Sequence, residues 1–256
     1  MEVQNRQANA EDLSECADIF IESLADMRAR HNLPSRTLPS HSDMLAFYQH
    51  VHSTGIFHVA EAEGRIAALA CAILRDRLWF LSGYWARPEL QRQKIGMSVL
   101  REVWNEGKAA GAKDFYVWAS IDLPAMASYM KLGMLPGCQI LSFEGTPQMP
   151  APAPGYSVTP LNKSFAMDLD QAILSTRREV DHDFFSKTGS QGRQVFHDEQ
   201  SIGYYYFNGG NIGPVAWTED HHAASLLTVA CREASESNSQ VSLEIPGMTH
   251  AALRFA

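Results

Sequence analysis

The chain has 256 residues, comfortable for two domains, with 45% apolar and 20% charged content. Its 21 lysines and arginines against 29 carboxylates give a net charge of −8. That balance disfavours nucleic acid or an anionic membrane as the main partner and is accounted for by plain solubility.

In chain order, the N-terminal MEVQNRQANAEDL lacks the apolar stretch of a signal peptide. Residues 9–24 predict a helix, with Leu13, Cys16, Ala17, Phe20 and Leu24 at helical spacing behind Asn9, Glu11 and Asp12. HNLPSRTLPSHS reads as a loop through its prolines and serines, followed by a helix near 43–50. Residues 55–88 predict three strands, broken at Glu63-Gly64 and at Arg75-Asp76-Arg77. The longest apolar run, Ile66 to Leu74, is far short of the roughly 20 residues that cross a bilayer. A helix over 95–106, a strand over 114–120, a helix over 124–131 and a closing strand near 139–143 follow. The four cysteines, Cys16, Cys71, Cys138 and Cys231, form no CxxC pair. They predict buried free thiols, no metal site, and a cytoplasmic setting.

GTPQMPAPAPG carries four prolines and predicts a linker, so the expected domains are 1–147 and 148–256. In the second half, SIGYYYFNGGNIGPVAW reads as two strands around an Asn-Gly-Gly turn. TEDHHAASLLTVACREAS reads as a helix, VSLEIPG as a strand and MTHAALRFA as a helix start. Strand, helix, strand, helix is the order in both halves. Yet 27 positions separate Pro88 from Phe115, against 22 from Glu219 to Val241. The shortfall lies where the first half carries Gln91, Arg92, Gln93 and Lys94.

Those four residues lead into a helix whose Ile95, Val99, Leu100, Val103 and Trp104 share an apolar face. The first turn of a helix has N–H groups without intrahelical partners, and the positive end of the dipole adds to them. Such a turn suits an anion. Gly96, with no Cβ, allows close approach to the backbone. Arg92 and Lys94 add positive charge. A polar turn of this kind is also an ordinary helix start.

The combination resembles the GNAT superfamily of acyl-CoA-dependent N-acyltransferases. Its pyrophosphate loop, Gln/Arg-x-x-Gly-x-Gly/Ala, follows a strand ending in an aromatic-aliphatic-x-Pro-Glu segment. Here Trp85-Ala86-Arg87-Pro88-Glu89 precedes Gln91-Arg92-Gln93-Lys94-Ile95-Gly96. Lys94 stands where the family usually has glycine. A residue entering a helix can keep negative φ, so its flexible stem is expected to swing aside and contribute charge. Downstream, DLPAMASYMKLGM is similar to the family's Asn-x-x-Ala-x-x-x-Tyr-x-x-x-Gly-Phe segment, with Asp122 for the asparagine, Ala125, Tyr129, and Gly133-Met134 for Gly-Phe. The second half resembles the degenerate partner domain of tandem-GNAT proteins. It stops at Ala256, inside what should be a helix, so the final strands of that fold are expected to be missing, through truncation or a shortened natural end.

The resemblance implies an α+β protein of two GNAT-like domains, each a mixed, mostly antiparallel sheet flanked by helices. It implies acetyl-CoA as cosubstrate, bound in a gap between the strand ending near Ala86 and the strand from Phe115. Tyr84, Trp85 and Ala86 would supply the strand edge and polarise the acyl carbonyl. The amides of Arg92, Gln93, Lys94, Ile95, Gly96 and Met97, with Gln91 and Asp122, complete the implied cofactor site. Tyr129 would be the general acid for the departing thiolate. The base stays open among Asp76, Asp122, His58 and a water chain, because orientation alone supplies much of such a rate.

Other clusters have plainer readings. His50 and His52 fit a helix end. Asp181-His182-Asp183 and His221-His222 fit solvated loop or helix-start positions without metal-site spacing. Tyr204, Tyr205, Tyr206 and Phe207 are strand aromatics that could line a pocket. The expected function is N-acetyl transfer to a primary amine of a small molecule or peptide, with a non-catalytic acyl-CoA or small-molecule sensor as the alternative. Nucleic acid, membrane and metal are not expected, and a homodimer stays open.

Overall fold

The computed structural model describes residues 2–34, 38–148 and 154–255. Contacts divide the chain into two compact units, Met1–Leu135 and Pro136–Ala256.

The first unit begins with β1 (Val3–Gln7), a strand the sequence reading passed over, then α1 (Asp12–Arg30) and α2 (His41–Thr54). α1 outruns the expected helix. Acidic Asp12 and Glu15 sit in its first turn and basic Arg28 and Arg30 in its last, so both ends complement the helix dipole. Ser40 caps α2, accepting from the Asp43 N–H at 3.1 Å. Three strands follow as expected: β2 (Ile56–Ala62), β3 (Arg65–Arg75) and β4 (Leu78–Ala86). Their connecting turns carry positive φ at Glu63, Gly64 and Asp76, the backbone twist that tight hairpins demand. After a short turn at Pro88–Leu90 come α3 (Ile95–Ala109), β5 (Asp114–Val117) and α4 (Leu123–Lys131).

The sheet order is β1-β2-β3-β4-β5, antiparallel except for the parallel β4–β5 pair. Each face has its own core. Leu13, Cys16, Ile19, Tyr48, Val51 and Leu69 fill the α1–α2 face, and Trp79, Leu81, Val99, Leu100, Val103 and Tyr129 fill the α3–α4 face. At Gly107 of α3, an added Cβ would stand 2.5 Å from Cδ1 of fully buried Trp79. The glycine thus lets helix and indole close on each other.

The second unit comprises β6 (Ile140–Gly145), β7 (Tyr156–Pro160), α5 (Lys163–Leu174), α6 (Glu179–Lys187), β8 (Gln191–His197), β9 (Gln200–Asn208), β10 (Asn211–Trp217), α7 (Ala223–Ser235), β11 (Val241–Pro246) and α8 (His250–Leu253). Its sheet runs β6-β11-β10-β9-β8-β7, parallel only between β10 and β11. β6 was expected to close the first domain. It pairs instead with β11 from Gly145↔Val241 to Ile140↔Pro246, so the units divide at Leu135/Pro136 rather than at 147/148. Residues 149–153 of the proline-rich stretch lie outside the described residues.

Tyr204 and Tyr206 pack toward α5 and α6, while Tyr205 and Phe207 pack toward α7. The period of two in a strand makes this run core on both faces rather than a pocket wall. Asp181 and His182, expected in solvent, are buried. His182 bonds Asp170 and Tyr206, each at 3.0 Å, and Arg178 and Tyr204 complete the contacts of Asp170. A buried polar group persists only when its partners are present, and here they are. Cys16, Cys71 and Cys231 are buried free thiols; Cys138 is free but exposed. Among the described residues no helix is long and apolar enough to cross a membrane.

Candidate active site

The site of the first unit follows from a mismatch of strand lengths. β5 pairs with β4 only from Leu78↔Asp114 to Leu81↔Val117, so β4 continues to Ala86 with one edge open. A bulge at Ser82 shifts its register against β3 just where the gap begins. The Arg87 N–H donates to the Ala67 carbonyl at 3.0 Å. By the alternation of an antiparallel ladder, Gly83 and Trp85 then turn their backbone groups to β3, and Tyr84 and Ala86 turn theirs to the gap. Of the three residues expected to offer an edge, Trp85 offers none. Its indole packs against Phe20, centroids 5.0 Å apart. The Ala86 carbonyl is also taken, by Ser23 Oγ at 2.9 Å and Gln91 Nε2 at 3.2 Å.

At the end of this edge the chain turns through Gln91 to Lys94 into α3. Arg92 has φ of 64° and Lys94, at the N-cap, 67°. The expectation of negative φ at Lys94 is therefore wrong: the turn needs a left-handed residue, which glycine supplies without a steric penalty. Its side chain is nonetheless exposed. The first N–H of this region to bond back is that of Ser98, to the Lys94 carbonyl at 3.3 Å. The N–H groups of Ile95, Gly96 and Met97 thus have no partner within the helix. Arg92 and Lys94 form no ion pair among the described residues. Two unpaired cations thus stand beside free helix amides and a left-handed turn, a combination whose chemistry suits an anion.

Tyr129 stands on α4, where Asp122 caps the helix by accepting from the Ala125 N–H at 3.3 Å. The Tyr129 ring lies 5.8 Å from the Tyr84 ring, and Tyr84 Oη donates to Ser128 Oγ at 3.3 Å. Burial, with Tyr84 and Asp122 nearby, holds the Tyr129 hydroxyl well above the ordinary phenol range. Burial also raises Tyr84, partly offset by its bond to Ser128. Both phenols are neutral proton donors at physiological pH.

These parts line one cleft of about 410 Å³. Every sequence-predicted residue borders it except Gln93, whose amide donates to the Glu89 carbonyl at 3.4 Å. Two base candidates lie elsewhere. His58 is buried against Glu106 of α3 at 2.5 Å, and Asp76 sits in the β3–β4 turn. The sequence reading missed Ser23, Met27 and Arg30, which border the cleft from α1. Their i, i+4, i+7 spacing was the available signal. It missed Trp118, Ser128 and Lys131 as well.

The corresponding position in the second unit differs in charge. β10 leads through Glu219 and a short turn, Asp220–His222, straight into α7. Two carboxylates at that mouth repel an anion. Among the described residues no group of three or more His, Cys, Asp or Glu is placed to hold a metal ion.

The acetyltransferase (GNAT) family profile matches residues 21–134. No curated protein sequence matches the chain. Among solved structures, a Pyrococcus horikoshii protein assigned as an acetyltransferase superposes with a TM-score of 0.77 at 16% identity, over 99% of this chain and 83% of that one. A tandem GNAT protein from the clavulanic acid biosynthesis pathway gives 0.64 at 13% identity, over 99% and 94%. A GCN5-related N-acetyltransferase from Sphaerobacter thermophilus gives 0.64 at 16%, over 99% and 91%. At these identities the likeness is one of fold: two GNAT-like domains in one chain.

Proposed function

From the match of residues 21–134 to the acetyltransferase (GNAT) family, we propose that the chain moves an acetyl group from acetyl-CoA to a primary amine of a small molecule or peptide. The observation that carries the reading is the convergence on one cleft of an open strand edge, an anion cradle and a buried phenol. Acetyl-CoA, when bound, supplies an acyl group activated as a thioester. The residues fit its diphosphate: the amides of Ile95, Gly96 and Met97 point from the helix mouth, with Arg92 and Lys94 beside them. The Tyr84 backbone and the Ala86 N–H face the gap; they would orient the pantetheine arm, and an N–H there would polarise the acyl oxygen.

Tyr129 Oη holds its proton because burial disfavours the phenolate. Full transfer to a thiolate of ordinary basicity is uphill by about 2 kcal/mol from an unperturbed phenol, and by more from this one. Tyr129 therefore acts by donating a hydrogen bond that shortens as charge grows on sulfur. The attacking amine loses its proton to solvent, and holding it in line accounts for most of the acceleration. The free thiols fit a reducing cytoplasm.

Calorimetry with CoA, beside a thiol-release assay over a panel of amines, tests the proposal. Binding together with amine-dependent release is expected. Binding without release from any amine would replace it with the sensor reading, and no binding would remove the cleft from consideration.

A further inference from the structure

The cleft is electrically polarised. Arg92 and Lys94 stand at the α3 end, and Lys131 also borders the cleft from α4. The α1 wall has one charged lining group, Arg30, and it is already engaged. Its Nε donates to Asp26 at 2.8 Å, Nη1 to Asp122 Oδ1 at 3.1 Å and Nη2 to Gln91 Oε1 at 3.4 Å. Asp26 and Asp122 together offset the charge of Arg30, so that corner lacks the unpaired positive charge of the α3 end. Among the described residues, Asp122 is the one carboxylate that borders the cleft. Oδ2 caps α4, and Oδ1 meets Arg30 and lies 3.5 Å from His31 Nε2. A carboxylate has about four lone-pair sites, so acceptor capacity remains. Trp118 borders the same cleft with 52% of its surface exposed, an aromatic face open to a cation.

We propose that Asp122 and Trp118 seat a second, non-reacting cationic group of the acceptor, so that the preferred substrates are diamines and related polycationic amines. This rests on the acetyl-transfer reading and adds the acceptor class to it. The seated group is not the nucleophile. A carboxylate stabilises the ammonium form of its partner, whereas the attacking nitrogen must be neutral. Arg30 competes for Asp122 and is the group displaced, which sets the two residues in opposition.

A matched four-carbon series tests this on the full chain at saturating acetyl-CoA: 1,4-diaminobutane, n-butylamine and 4-aminobutanoate. The wild type is expected to favour the diamine over butylamine by about tenfold in kcat/KM, the size of one charge-assisted contact. 4-Aminobutanoate should be the poorest. Asp122→Asn keeps a competent helix cap and should erase the diamine preference, chiefly through KM. Arg30→Gln should enlarge it. An ion pair that only holds the fold would move both variants the same way. Equal use of the three amines, or parallel shifts in the two variants, overturns the acceptor seat while acetyl transfer stands. If no amine releases thiol, titration of 1,4-diaminobutane into CoA-loaded protein decides: no binding, or equal binding to Asp122→Asn, overturns the seat.

Discussion

Gly96 admits two explanations, and an alanine there separates them. In the first, glycine lets a diphosphate reach the helix amides. In the second it makes room for Tyr84, because an added Cβ would stand 2.9 Å from Tyr84 Oη, 3.1 Å from Cε2 and 3.3 Å from Cζ. Ordinary contacts need about 3.5 Å, so the hydroxyl must retreat by roughly half an ångström. That puts at risk its 3.3 Å bond to Ser128, worth about 1 kcal/mol. Crowding adds about 1 kcal/mol at the low end of its range, and the better helix propensity of alanine returns up to about 1 kcal/mol. Gly96→Ala should therefore lose about 1 kcal/mol in thermal or urea unfolding. Tyr84→Phe deletes the nearest of those atoms and the bond at risk, leaving the ring carbons at 3.1 and 3.3 Å, so in that background the loss should shrink to what the remaining crowding costs. The affinity for CoA should behave differently. A Cβ beside the amide lengthens charge-assisted contacts of about 1.5–3 kcal/mol each, so Kd should rise at least about tenfold in both backgrounds. Calorimetry on the four proteins of this cycle measures the coupling. If Tyr84→Phe restores affinity as well as stability, the glycine serves the tyrosine alone and the anion cradle is misplaced.

Tyr129→Phe should reduce kcat by about 100-fold, in the range for the loss of one hydrogen-bond donor to developing charge, with CoA affinity nearly intact by calorimetry; unchanged turnover would remove Tyr129 from the chemistry. Lys94→Gly should move two quantities in opposite directions. Relief of a left-handed residue, about 1–2 kcal/mol, exceeds the entropy cost of glycine, about 0.5–1 kcal/mol, so stability should rise while CoA affinity falls several-fold with the lost charge. A fall in both would mean that the φ of 67° carries no strain. In the second unit, burial and then the neighbouring His221 and His197 push His222 below its ordinary value of 6.5. The unfolded chain then binds the extra proton first, so the contribution of His222 to stability is complete above about pH 6.5 and is lost as pH falls toward its folded pKa. His222→Gln should flatten the dependence of the unfolding midpoint on pH below 6.5 relative to wild type, and an identical slope would refute the coupling.

Much of the first unit could be read from its sequence because its signals are local. Hairpin breaks at Glu63-Gly64 and Asp76, the proline-bearing turn before α3 and the amphipathic face of α3 are each fixed within a few residues. What escaped was set at a distance. β1 is polar and half-exposed, and it is a strand because β2 offers an edge from His58 to Ala62. β6 lies next in sequence to the first unit, yet its partner β11 comes about a hundred residues later. Between β7 and β8, Asp170, Arg178 and His182 look like surface residues until they meet one another and Tyr204 of β9. The motifs picked out residues that border one cleft, but not which of their groups are free there. Trp85 and the Ala86 carbonyl were spent on other contacts that only the register and the partner list reveal.

The two halves show how little separates the turn proposed to hold an anion from a plain connection. Both run a strand into a helix that precedes a parallel neighbour, and both leave that strand's edge partly unpaired, since β10 meets β11 only at Asn211 and Ile212. The backbone alone therefore offers a helix mouth twice. In the first unit the intervening residues spend two left-handed positions and two unpaired cations on that mouth. In the second, Glu219 and Asp220 stand there, and His222 turns to Tyr156 at 3.1 Å instead of to solvent. Left-handed residues and unpaired charges both work against stability, so a chain keeps them only where something else is gained. That asymmetry favours the first unit as the place for the proposed anion, on physical grounds that do not depend on any likeness to other proteins.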